Sequence, residues 1–335
     1  MATFKIYKLH FTSPLHISNL RDDGSVSMKT IQSDTLYAAL TSCLAKAGHK
    51  IPEDGDLGFT LSSAFPYYQE KNDSEPIYFL PMPFQTRLPQ LEDVSKSKMV
   101  KKVQWVDSEL YDAVLQGKQF FDGTEEYIEH IHGTYLTTRA LPWDTSDFIQ
   151  SEVVQRVYIE SRTGQKDALP YYIDRITFQD WSGLYFIAIG QTEPLEKALS
   201  MLSLEGIGTD RHVGFGSFEY FSDTLIVNTP QDADYQLALS VLIPSSEDQL
   251  HQLLASDTVA YDFTRRGGWI TTYPYNTLRK NAVYAFLPGS VLCKTGNDSN
   301  EIGHIVNLSP KIEANPPLHP IWRNGKALML PIKMN

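Results

Sequence analysis

Cysteine is scarce: Cys43 and Cys293 are the only two in 335 residues, and they lie far apart. No C-x-x-C spacing occurs. That argues against a disulfide framework or a structural zinc site and fits a reducing, cytoplasmic setting. Long apolar runs are missing as well. The longest, LYFIAIG (184–190), has the length of a strand, far short of the roughly 18 residues a membrane span needs. The opening MATFKIYKLHF alternates as a strand does and lacks a signal-peptide core. Positive charge is absent from one long stretch: His212 to Thr264 holds no Lys or Arg, but eight acids. The net charge of −11 speaks against nucleic acid. Yet eight of the 40 acids fall in that stretch, so elsewhere 29 bases face 32 acids. One face can be acidic and another locally basic. The basic clusters are KSKMVKK (96–102) and RRGGW (265–269).

Nucleotide and hydrolase signatures are also missing. No G-x-x-x-x-G-K-[ST] and no G-x-G-x-x-G between strand and helix occurs. G-x-S-x-G is absent too, and the acids form no paired-carboxylate signature. His130 and His132, with Glu129, lack a further ligand set at metal spacing. No metal and no cofactor are expected.

Alternation and helical spacing give an outline of the fold. FKIYKLHF (4–11) alternates and predicts a strand with one buried face. In SDTLYAALTSCLAKAGHK (33–50), Leu36, Ala39, Leu40, Cys43 and Leu44 recur at helical spacing. Ser33 or Asp34 is placed to cap that helix, and Gly48 to end it. FTLSSAFPYY and IYFLPMPF read as short strands interrupted by Pro66 and Pro81. Residues 85–150 are polar and weakly patterned and read as an insertion with its own hairpin or helices. VVQRVYIES and GLYFIAIG read as strands, EPLEKALSMLSL (193–204) as a helix, and SFEYFSDTLIV (217–227) as a strand. This order resembles β-α-β-β-α-β with a large insertion. The pattern restarts after 229–234 with strand YQLALSVLI, a helix starting near Ser245 or Ser246, and strands GGWITTY, NAVYAFLPGSVL and KALMLPIKM. The fold class expected is α+β, with two ferredoxin-like (RRM-like) domains side by side. Residues 1–228 form the first, with the insertion at about 85–150, and 229–335 a degenerate second.

Between the helix and the strand at 217 lies GIGTDRHVGFGSF (206–218). Its four glycines, Gly206, Gly208, Gly214 and Gly216, surround Asp210 and Arg211. Glycine accepts positive φ and lets another backbone approach. Successive amides in such a loop make a concavity for anions, to which Arg211 adds a bidentate donor. Phe215 and Phe218 either stack on a base or pack underneath. Asp210 beside a phosphate is unfavourable unless it pairs with Arg211 or accepts loop N–H bonds.

This loop resembles the Gly-rich loop of RAMP proteins, the RNA-binding subunits of CRISPR systems. FTSPLHIS, SDTLYAAL, LSSAFPY, YFLPMPF, RVYIESRTG, RRGGWITTYPY, LPGSV and HPIWRNGKALMLPIKM occur in order along nearly the whole chain. Together they resemble one branch, the fourth subunit of the type III-A Csm effector complex in antiviral defence. The resemblance implies a non-catalytic role, holding the 5′ repeat-derived handle of the crRNA. It also implies contact with the large signature subunit and with a backbone RAMP subunit. The loop departs from the family pattern at Thr209 and Asp210. The RNA-binding residues expected are Gly206, Gly208, Arg211, His212, Gly214 and Gly216 in the loop, with His16 after the first strand and Ser33. Lys101, Lys102, Arg139, Arg156, Arg162 and Arg265 add phosphate charge, and Trp143 offers a stacking surface. On a β-ribbon, Lys96, Lys98 and Lys102 would share a face from which Lys101 points away. Two alternatives remain. One is a metal-independent endoribonuclease using His16 or His212 on the 2′-OH; the other is a pure scaffold whose acidic stretch meets a basic neighbour.

Overall fold

The computed structural model describes residues 1–18, 25–72, 74–84, 94–118, 128–139, 141, 148–159, 168–179, 181–270, 275–295, 301–311 and 319–334. Trp143 and Arg162 lie outside the described residues. The chain opens with β1 (Ala2–Phe11) and α1 (Ser33–Lys46). Short strands β2 (Phe59–Leu61), β3 (Phe65–Tyr68) and β4 (Ile77–Pro81) follow. Pro66 lies inside β3 and Pro81 ends β4. Then come α2 (Val94–Val100), β5 (Trp105–Asp107), α3 (Ser108–Leu115), β6 (Ile131–His132) and β7 (Tyr135–Leu136). A long hairpin, β8 (Ile149–Ile159) and β9 (Ala168–Phe178), precedes β10 (Gly183–Gly190), α4 (Thr192–Glu205) and β11 (Phe218–Val227).

One sheet runs β11-β1-β10-β3-β4-β5-β7-β6, with β2 also paired to β10. The described part of 85–150 is therefore continuous with this sheet: β5 adds to β4, and Phe148 is buried in its core. Helices α1 and α4 cover one face. They pack Leu36, Leu40, Cys43 and Leu44 of α1 beside Leu195, Ala198, Leu199 and Leu202 of α4. Both sets recur at helical spacing, which is why these segments fold as amphipathic helices. One buried face is predicted for β1, but the structure buries both. Tyr7, Leu9 and Phe11 meet the helices, while Phe4 and Ile6 meet a second apolar layer. A central strand covered on two sides keeps apolar residues on each.

That second layer comes from the rest of the chain. It contains β12 (Tyr235–Ala238), α5 (Glu247–Leu253), β13 (Phe263–Arg266), β14 (Val283–Phe286) and β15 (Val291–Cys293). It ends with β16 (Glu301–Ile302), β17 (Ile305–Asn307), β18 (Trp322–Asn324) and β19 (Ala327–Ile332). The sheet order is β15-β12-β19-β16. Leu237, Leu239, Leu328, Leu330 and Ile332 pack against Phe4, Ile6, Leu225 and Val227 of the first sheet. Ser240 stitches the seam: its hydroxyl donates to the Leu61 carbonyl at 2.6 Å and accepts the Leu328 amide at 2.9 Å. Ser246 caps α5 by accepting from the Gln249 amide. The strand predicted over 281–292 divides into β14 and β15, because the chain turns at Leu287–Ser290 with Gly289 at φ 94°. Among the described residues, no helix is long and apolar enough to cross a membrane.

Candidate nucleic-acid interface

The glycine-rich loop is a compact knot. All four of its glycines have positive φ, and so does Asp210, at 61°. Asp is one of the few side chains that tolerates this conformation. Three glycines are required by close approach. A Cβ on Gly206 would lie 2.5 Å from the Phe215 carbonyl oxygen. A Cβ on Gly208 would lie 2.4 Å from the His16 carbonyl oxygen, and one on Gly216 would lie 1.9 Å from that of Ile207. Most loop amides are consumed internally. Ile207 donates to Gly216 O, Thr209 to His16 O, Phe215 to Asp210 O and Gly216 to Pro14 O. The loop is thereby laced to residues 12–18, the segment following β1.

His16 is the second half of that lacing. The sequence offers it as an RNA contact, but the structure corrects this: its side chain is buried. Nδ1 lies 2.8 Å from the Asp174 carbonyl, so it must be the donor, and Nε2 lies 3.0 Å from Ser18 Oγ. Ser18 Oγ lies in turn 2.9 Å from the Thr209 hydroxyl. The chain Thr209–Ser18–His16–Asp174 thus joins the glycine loop, the first loop and β9. Asp174, which no sequence signal singles out, is the hub. Its carboxylate accepts from the Ser27 amide and the Ser151 hydroxyl.

The loop's acid is neutralised from the hairpin. Asp210 pairs with Arg156 of β8 at 2.6 Å, not with Arg211. The Arg156 guanidinium also lies over the Phe215 ring, 4.8 Å from its centroid. Arg156 is therefore a clamp, and Phe215 is covered rather than open to a base. Phe218 is core, tilted against Phe11. With Asp210 occupied, Arg211 and His212 project outward on a single 3-10 turn, both exposed. This pair is exposed together with Thr209, Val213 and Gly214.

Other expected residues are dispersed. Ser33 is buried; its hydroxyl accepts the Val241 amide at 2.9 Å, and it makes no cap bond. Its role is to fasten α1 to the second sheet. Asp34 is fully buried and holds Arg266 and Arg323. Arg139 is engaged by Glu109 and Glu75. The basic cluster 96–102 is helical, not a ribbon: α2 carries Lys96 and Lys98, and Lys101 donates its amide back to Ser97. Lys98, Lys101 and Lys102 then share a face, and Lys96 lies off it. Arg265 is exposed on β13, away from the loop in the chain. His130 and His132 flank the start of β6. Among the described residues, no three His, Cys, Asp or Glu converge as a metal site.

Comparisons with known proteins agree in direction. Residues 231–332 match the family model of the CRISPR Csm4 C-terminal domain. The chain is 25% identical over 324 residues to the CRISPR system Cms protein Csm4 of Streptococcus thermophilus, covering 92% of this chain and 93% of that one. It is 25% identical over 256 residues to the Csm4 of Thermococcus onnurineus, covering 71% and 75%. The fold matches the crystal structure of a Csm3–Csm4 subcomplex of a type III-A interference complex. There the TM-score is 0.58, with 19% identity over 98% of this chain and 99% of that one. A Csm1–Csm4 cassette in complex with pppApA matches at TM-score 0.58 and 17% identity, over 100% and 99%. The chain is thus similar to Csm4 proteins over most of its length, and its residues 231–332 match the Csm4 C-terminal domain.

Proposed function

We propose that this chain is a non-catalytic subunit of a type III-A CRISPR effector complex and holds the 5′ repeat-derived handle of the crRNA. The observation that carries the reading is the laced junction of the glycine loop, residues 12–18 and the β8–β9 hairpin. It spends Asp210 on Arg156 and turns Arg211 and His212 outward. A rigid loop presenting a guanidinium is pre-organised for phosphate, so less ordering entropy opposes binding. The partners are a large signature subunit and a backbone RAMP subunit. The likeness in fold to chains of solved Csm1–Csm4 and Csm3–Csm4 assemblies supports this.

The topology supports two ferredoxin-like units, 1–228 and 229–335. The order β11-β1-β10-β2 with α1 and α4 on one face is that of a β-α-β-β-α-β unit. The order β19-β12-β15, with Ala260 bridging Val291, repeats it in the second half. There α5 is the first helix, and the β17–β18 hairpin stands where the second would be. A non-catalytic role accords with His16, whose two ring nitrogens are bonded within the protein.

Arg211→Ala with His212→Ala leaves the lacing intact. It should weaken handle-RNA binding by about tenfold or more, the worth of one or two charge-assisted hydrogen bonds. Equal affinity in a filter-binding titration would overturn the assignment. Cleavage of repeat RNA by the purified chain, lost in His212→Ala, would overturn the non-catalytic part.

A further inference from the structure

The β13–β14 hairpin shows solvent an unusual face. Its ladder continues beyond the regular strands through the Trp269–Arg279 bridge and the bond from the Lys280 amide to Gly268 O. Along Phe263–Arg266 alternate side chains point to opposite sides, and Gly268, at φ 111°, breaks the strand before Trp269. Arg266 and Ile270 point inward, Arg266 to Asp34 and Ile270 into the core. Phe263, Arg265 and Trp269 point outward, with Gly267 between them. Across the ladder, Tyr284 pairs with Arg265, and Arg279 with Trp269. Phe263, Trp269 and Tyr284 are 55%, 54% and 63% exposed.

The outward face of an antiparallel pair is ordinarily polar. Here it carries three aromatic rings and two arginines. Arg279 lies over Trp269, 4.8 Å from the ring centroid, and Phe263 stands edge-on to Tyr284 at 5.8 Å. Among the described residues neither Arg265 nor Arg279 makes a salt bridge. An apolar protein partner would bury both guanidiniums without counter-charge, which is costly. A single-stranded nucleic acid satisfies the whole face, with phosphates for the guanidiniums and bases for the rings. The patch is also a local basic exception in a chain of net charge −11.

We propose that the outward face of this hairpin is a stacking platform for single-stranded RNA, separate from the glycine-rich loop. That the strand is RNA rests on the proposed function; the platform itself does not require the loop. The test is anisotropy titration of fluorescein-labelled oligo(U) by the full chain at low salt. Trp269→Ala and Phe263→Ala should each weaken binding about five- to hundredfold, the range for loss of one stacked base. Arg265→Gln with Arg279→Gln, both exposed and harmless to the core, should weaken it and flatten its salt dependence. Duplex RNA of equal length should bind less tightly and ignore Trp269→Ala. Failure of the wild-type chain to bind oligo(U), or wild-type binding by all these variants, would overturn the platform. So would variants that bind RNA normally but no longer assemble with co-expressed subunits, since the face would then be a protein interface. Arg211→Ala with His212→Ala, run in parallel on handle RNA, tests the loop alone, so either site can fail without the other.

Discussion

Asp34→Asn probes the seam between the two sheets. Asp34 lies in the first turn of α1, fully buried. Its Oδ2 meets Arg266 Nε at 2.7 Å and Arg323 Nη1 at 2.7 Å, and its Oδ1 meets Arg266 Nη2 at 2.8 Å. Burial pushes this carboxyl up, but the charges and hydrogen bonds of Arg266 and Arg323 outweigh it and hold the group below its usual value. A depressed folded value means the carboxylate stabilises the fold above the unfolded value near 3.9. That contribution is lost as pH falls through the lower folded value. Asn keeps the shape and removes the charge, leaving two buried guanidiniums short of their counter-ion. Breaking such a pair from one side costs about 3–5 kcal/mol, a large part of the 5–15 kcal/mol typical of a domain. Urea denaturation at neutral pH reads it as a lower midpoint at constant slope. A double-mutant cycle with Arg323→Met should give a coupling of about 0.5–3 kcal/mol. A loss under about 1 kcal/mol, or strict additivity, would refute the account of the seam.

Lys280 gives a second expectation. Burial, then the charge of Arg323, pushes its ammonium down to about 8, against the pull of Asp34. The unfolded chain holds that proton up to about 10.4, so unfolding takes up a proton between the two values and stability rises with pH across that window. Lys280→Gln should lack this rise; urea midpoints that change in parallel for both proteins from about pH 8 to about pH 10 would contradict it. The third concerns α2 and the turn after it, where Lys98, Lys101 and Lys102 are exposed on one face and Lys96 is half-buried. If that face meets RNA, changing the three to Gln lowers the slope of log affinity against log salt by up to about 2, and Lys96→Gln alone by no more than about 0.7. An unchanged slope in the triple variant would assign these lysines to solvent.

Local features of the fold were readable because their causes are local. The stripes of α1 and α4 follow from the spacing of Leu36, Leu40 and Leu44 and of Leu195, Leu199 and Leu202. The Ser246 cap of α5 follows from one residue at a boundary. The β9 strand, ALPYYIDRITF, is less legible because exposed tyrosines and charges blur its alternation. Its partner β8 was visible in the pattern, but a hairpin arm needs both strands. Lys96 to Lys102 read equally well as ribbon or helix, since a seven-residue run whose only apolar residues are the adjacent Met99 and Val100 carries no period to decide between them.

The site divides along the same line. Each glycine of the loop answers a backbone requirement at its own position, and such requirements are written in residue type. What the neighbouring charges do is decided by partners far off in sequence. Arg156 reaches Asp210 across 54 positions, Arg266 reaches Asp34 across 232, and Arg323 reaches it across 289. A basic residue in the sequence is therefore a weak guide to an available cation. Arg139, Arg156, Arg266 and Arg323 are held by carboxylates, whereas Arg211, Arg265 and Arg279 make no salt bridge among the described residues. A phosphate can reach the second group without displacing an existing ion pair, and in the first it would have to compete with a carboxylate a few ångströms away. The glycine loop and the β13–β14 hairpin are where that second group lies, so they are the two surfaces on which the proposals for RNA binding rest.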